Sequence, residues 1–142
     1  MRMELHIIEE IQNDFMKKGG FNCAETILRV SNQTLNLGLD QNALLLAAGF
    51  GGGMGVGNVC GALTGAIMVL GRLYVKKYAH ESTRIKDLEQ KLIADFENEF
   101  KTLLCTPIKD KYLDPEYKCK SVVIKAAEML ENLIKNNPPE CL

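Results

Sequence analysis

Residues 49–75 read GFGGGMGVGNVCGALTGAIMVLGRLYV, and eight of the chain's twelve glycines fall within 49–65. Beyond Asn58, a good helix cap, the segment 59–75 is apolar apart from Thr64 and Arg72. A helix that is apolar on every side must be buried. This one is shorter than the about 20 apolar residues that a bilayer span needs, and Arg72 interrupts it. The segment therefore predicts the central helix of a bundle, or one packed against a second copy, and no membrane insertion.

The flanking sequence is helical in period, with no alternating run long enough for a strand. A first helix is expected over 3–18, with Leu5, Ile8, Ile11 and Phe15 on one face and Gly19-Gly20 as a stop. Asn22 and Glu25 have capping-box spacing. They open a second helix that carries Ile27, Leu28 and Leu35 and ends near Asn36-Leu37-Gly38. Asp40 caps a short apolar helix over 41–48. A long amphipathic helix over 82–104 places Ile85, Leu88, Leu92, Phe96, Phe100 and Leu103 on one stripe, and Cys105-Thr106-Pro107 ends it. A loop over 108–117 then leads to a last helix over 118–135, with Val122, Val123, Ala126, Met129, Leu130 and Leu133 inward. The tail, 136–142, carries Pro138, Pro139 and Cys141. The fold class is all-α: one domain over 1–142, a bundle of about five to six helices around the buried glycine-rich helix.

Composition agrees with such a domain, being 46% apolar and 25% charged in 142 residues. A net charge of −1 provides no field to gather polyanions, so nucleic acid is not an expected partner. The first ten residues mix acids into their apolar positions and lack the core of a signal peptide, which predicts a cytoplasmic location. Structural disulfides are rare there, so five cysteines call for redox chemistry, metal ligation or inert burial.

The glycine-rich stretch lacks the Gly-Lys-Ser/Thr of a phosphate loop and follows no predicted strand, so it is not a nucleotide cradle. Gly57, Gly61 and Gly65 recur every four residues and would clear one helix face, making them candidate cofactor-facing positions where a backbone or flat ligand comes close. Cys60 would lie in that helix's first turn, where free N–H groups and the helix dipole favour a thiolate. Cys23 opens a helix downstream of Lys17 and Lys18, Cys105 sits at a helix break, and Cys119 opens the last helix between Lys118 and Lys120. A cysteine that is merely a small hydrophobe has no preference for helix ends, so the four are the candidate site. No pair has CxxC spacing, and without CxxCH no covalent haem is expected. His6 and His80 are isolated, and Glu97 and Glu99 read as a solvated face.

Cys23, then Cys60-Gly61-Ala62-Leu63-Thr64-Gly65, then Cys105 and Cys119 resemble the redox-active protein family labelled C_GCAxxG_C_C, with the lead-in 49–55 also similar. The resemblance covers about residues 15–135 and leaves Cys141 outside. It implies a small prokaryotic redox protein with Cys23, Cys60, Cys105 and Cys119 as its functional thiols. The helical region is also similar to the split-Soret type cytochrome, which implies an all-α homodimer. Three functions follow as expectations. In the first, the thiols carry thiol–disulfide or electron-transfer chemistry with a redox partner, with Cys60 as attacking group. In the second, the same four cysteines ligate an iron–sulfur cluster or zinc. In the third, they are buried thiols of a structural helical dimer.

Overall fold

Asn22 opens the second helix as its spacing predicts. Its Oδ1 accepts from the Glu25 N–H at 2.9 Å, and the Glu25 Oε1 accepts from the Asn22 N–H at 3.2 Å. The same side chain donates through Nδ2 to the Ala48 carbonyl at 2.9 Å, so one residue caps a helix and anchors the start of the glycine-rich loop. The structure, a computed structural model, describes residues 7–12, 20–116 and 118–140. The expectations for Leu5, His6, Phe15, Lys17, Lys18 and Cys141 fall outside these.

Among the described residues there are seven α-helices and no strand. They are α1 (Ile7–Gln12), α2 (Cys23–Leu35), α3 (Gln41–Leu45), α4 (Gly61–Tyr74), α5 (Arg84–Phe100), α6 (Cys105–Tyr112) and α7 (Lys120–Asn136). The all-α class holds, and α4 is central: it packs against α2, α5 and α7, while α1 covers α2 and α7. Its residues Ala62, Leu63, Ala66, Val69 and Leu70 are fully buried. The charge at Arg72 is accommodated at the edge, where Nε donates to the Leu37 carbonyl at 2.9 Å. Among the described residues no helix is long and apolar enough to cross a membrane.

Three expectations are corrected. Helix α4 begins at Gly61 and not at 59, because residues 58–60 are extended and pair with 103–105: Cys60 N–H donates to the Leu103 carbonyl at 2.8 Å and Cys105 N–H to the Asn58 carbonyl at 2.6 Å. Backbone groups thus find partners across the chain before a helix can use them, and Asn58 is no cap; its Oδ1 accepts from the Val59 N–H at 2.9 Å. Helix α5 stops at Phe100, where Lys101 turns left-handed at φ 63°. The first half of the expected loop over 108–117 belongs to the extra helix α6, with Pro107 in its first turn, where a missing N–H breaks no helical hydrogen bond.

The glycine stripe also divides. Gly61 and Gly65 remain on α4 and let the backbone of α2 come close: a Cβ at Gly65 would stand 2.7 Å from the Ala24 carbonyl oxygen and 3.0 Å from Ala24 Cα. Gly57 lies in the loop at φ 73°, where a Cβ would strike the Thr106 hydroxyl. The space expected to face a cofactor at Gly57, Gly61 and Gly65 is filled by the chain's own atoms. Between Gly52 and Gly55, four successive residues, Met54 among them, have φ between 60 and 74°, a left-handed turn closed by Asn58 N–H donating to the Gly53 carbonyl at 3.0 Å. Such a turn costs L-residues about 1–2 kcal/mol each, which glycine avoids.

Two glycine substitutions on one helix separate packing from propensity. Gly71 has nothing within 4 Å of an added Cβ, so Gly71→Ala is expected to stabilise by about 0.4–1 kcal/mol. Gly65→Ala, whose Cβ meets rigid backbone, is expected to destabilise by about 1–3 kcal/mol despite alanine's better propensity. Urea denaturation of both variants measures this; equal stabilisation would show that α2 does not sit against Gly65.

Candidate thiol site

Cys23 is the first residue of α2, Cys60 occupies the cap position of α4, Cys105 is the first residue of α6, and Cys119 occupies the cap position of α7. Four helices thus present a thiol at the N-terminus, and the packing brings those ends together. The close approach of α4 to α2 would leave a Cβ on Gly61 3.4 Å from Cys23 Cβ. The pairing of 58–60 with 103–105 ties Cys60 to Cys105. Gly53 lies over α6, where its own Cβ would approach Cys105 Cβ to 2.8 Å. Cys119 is delivered by a turn in which Asp114 and Lys118 exchange backbone hydrogen bonds of 2.8 Å, with Lys118 left-handed at φ 56°.

All four thiols are free; Cys60 is buried and the other three are half-buried. Cys23 and Cys119 share a side-chain hydrogen bond, and this contact organises the titration of the site. The Cys23 S–H donates to the Cys119 sulfur, which favours a thiolate there; together with the Lys109 ammonium this outweighs burial and lowers Cys119 from 9.0 to about 7. Cys23 moves steeply the other way. Its proton is held by the hydrogen bond, burial disfavours its charge, and the other three sulfurs repel it.

Cys60 is raised as well. Burial dominates, and the Ala62 and Leu63 N–H groups at the start of α4 pull it down without overcoming burial. Cys105 is raised by burial and by Cys119, with Lys109 in opposition. The helix-start argument thus applies to all four residues, but the thiolate concentrates on Cys119. Lys109 is a residue that the sequence reading missed. It stands four residues after Cys105, one helical turn along α6, and would have been placed had 105–112 been read as a helix.

The metal reading is tested by the donor set itself. Among the described residues no group of three or more His, Cys, Asp or Glu side chains is arranged to hold a metal ion. Of the remaining sequence candidates, His80, Glu97 and Glu99 are exposed.

Fold and site together define a class: an all-α protein whose helix N-termini converge on four free thiols. The chain belongs to the family described as "Putative redox-active protein (C_GCAxxG_C_C)", whose model matches residues 21–133. No curated protein and no solved structure matches it significantly.

The shifts predict how the thiols react with an alkylating agent. In brief iodoacetamide pulses read by peptide mass spectrometry, Cys119 labelling should rise with a midpoint near pH 7, because the thiolate reacts and its fraction grows as pH passes its pKa. Cys23, Cys60 and Cys105 should label only at higher pH. Lys109→Met should move the Cys119 midpoint upward, and Lys109→Arg should restore it. Four coincident midpoints would contradict the asymmetry.

Proposed function

We propose that the chain is a dithiol–disulfide oxidoreductase in which Cys119 is the nucleophile and Cys23 the resolving thiol. The observation that carries this reading is the hydrogen bond between the Cys23 and Cys119 side chains, with the two pKa values driven apart. At neutral pH about half of Cys119 is thiolate, against about one part in a hundred for a thiol at 9.0. A thiol whose pKa lies near the ambient pH is also the best attacking group, since a lower pKa lowers intrinsic nucleophilicity.

The substrate class is a disulfide, carried by a small molecule or a partner protein. The Cys119 thiolate attacks one substrate sulfur; a mixed disulfide forms, the substrate S–S bond breaks, and the second substrate sulfur leaves as a thiolate. Cys23 then attacks Cys119 Sγ, giving its proton to solvent, and the first substrate sulfur leaves. One protein disulfide replaces one substrate disulfide, and two electrons pass from Cys23 and Cys119 to the substrate. A dithiol reductant reverses the cycle.

The raised pKa of Cys23 suits the resolving role. It is protonated while Cys119 attacks, so it does not compete for substrate, and it loses the stabilising Cys119 charge only when the mixed disulfide forms. Lys109 acts through Cys119 and so is a positioning residue.

Glutathione disulfide is a suitable probe. Cys119→Ser should lower the rate of its reduction at pH 7 by about fiftyfold or more, in proportion to the lost thiolate fraction. Cys23→Ser should instead trap glutathione on Cys119, seen as a stable adduct by intact mass. An adduct on another cysteine, or full activity in Cys119→Ser, would overturn the assignment. Stoichiometric iron or zinc in anaerobically purified protein would overturn the dithiol reading itself.

A further inference from the structure

Cys60 and Cys105 are not needed for the two-thiol cycle, yet the fold sets them beside each other. Val59 and Leu104 face one another in an antiparallel bridge, flanked by the Cys60 to Leu103 and Cys105 to Asn58 hydrogen bonds of 2.8 and 2.6 Å. Side chains alternate between faces along such a pairing. Asn58, Cys60, Leu103 and Cys105 therefore share the face opposite Val59 and Leu104. Leu104 is 43% exposed and Cys60 5%, so the Cys60 end of this face is turned inward while Asn58 is exposed. Cys60 and Cys105 are diagonal neighbours, a relation that puts residues about 7–8 Å apart. A disulfide needs Cα atoms about 4.4–6.8 Å apart, so bonding of the pair requires backbone movement that draws the two segments together.

Burial limits what can oxidise Cys60. At 5% exposure it is closed to a bulky external disulfide, while Cys105 and Cys119 raise its pKa and it in turn repels charge on Cys23. Cys105 also senses Cys119. The neighbouring segment is close by: Gly53, in the left-handed turn, packs directly against Cys105.

Resting on the dithiol reading above, we propose that Cys60 and Cys105 form a second, internal disulfide that takes over the oxidation from the Cys23–Cys119 pair, so that one chain stores two disulfides. Cys105, as its thiolate, attacks Cys119 Sγ of the Cys23–Cys119 disulfide. That S–S bond breaks, and Cys23 leaves as a thiolate and takes up the proton that Cys105 gave up. Cys60 then loses its proton to solvent and attacks Cys105 Sγ, and Cys119 leaves as the thiolate. One S–S bond has been exchanged for another with no electron leaving the chain. The restored Cys23 and Cys119 then reduce a second substrate disulfide.

The test uses the full chain with Cys141→Ser, which leaves the four site thiols. The protein is titrated with glutathione disulfide, its remaining thiols are counted under denaturation, and its bridges are mapped without reduction. The expected end state has no free thiol and two bridges, Cys23–Cys119 and Cys60–Cys105. Cys60→Ser and Cys105→Ser should each halve the thiols consumed and retain the Cys23–Cys119 bridge. A Cys23–Cys119 bridge with Cys60 and Cys105 still reduced, glutathionylated or joined to other partners would overturn the second pair alone. Absence of the Cys23–Cys119 bridge would overturn the underlying dithiol reading. The parent chain's bridge map is decisive even if a variant fails to fold.

Discussion

The backbone contact between Gly65 and Ala24 is the constraint on which the thiol site depends. A helix with glycine at an interior position gives up about 1 kcal/mol relative to alanine, and α4 does so at Gly65 and Gly71. At Gly65 the loss is offset by burial of backbone against backbone, which Ala24, itself small, permits from the facing helix. Any side chain at Gly65 would push α2 outward. Because Cys23 precedes Ala24 and Cys60 precedes Gly61, the same contact that closes the core sets two helix starts side by side. The site is thus a consequence of core packing rather than an addition to a finished fold.

Four helix N-termini directed at one place would be expected to depress every thiol there, since each adds partial positive charge worth about 0.3–1 kcal/mol. Desolvation opposes this and scales with depth. At buried Cys60 it outweighs the Ala62 and Leu63 N–H groups. At Cys119, half-buried, a hydrogen bond from a neighbouring S–H and the Lys109 ammonium prevail. Four similar local positions therefore become four unequal thiols, and the inequality comes from tertiary neighbours.

That division marks what could be read from the sequence. Features governed by neighbours within a turn were legible: the Asn22–Glu25 capping box, the stripe from Ile85 to Phe100, the apolar girth of the central helix, and the placement of cysteines at helix ends. The cysteine order and CGAxxG motif also sufficed to indicate the family to which the chain belongs. Features decided by a distant partner were not. The pairing of 58–60 with 103–105 displaced Asn58 from its expected capping role, because a strand-like bridge of so few residues has no periodicity to detect. Pro107 carries the same steric rule at a helix start as after a helix end, and only the fold of 101–104 distinguishes them. Gly57 matched the four-residue spacing by coincidence and answers to Thr106 instead.

The absence of a CxxC pair has an energetic meaning. In a CxxC site the two sulfurs share one turn of helix, so their disulfide closes a very short loop and reports little about the rest of the chain. A Cys23–Cys119 bridge would close a loop of roughly 100 residues, for which chain-entropy arguments give about 4.7 kcal/mol of stabilisation against the unfolded state. By linkage the relation runs both ways: the fold that holds α2 and α7 together favours the bridge by the same amount that the bridge favours the fold. A Cys60–Cys105 bridge, closing a loop about half as long, would gain about 4 kcal/mol on the same reckoning. The two are near enough that neither pair would trap the oxidation on loop entropy alone. Which pair holds the bridge is then set by the local terms already described, the thiolate at Cys119 against the burial of Cys60.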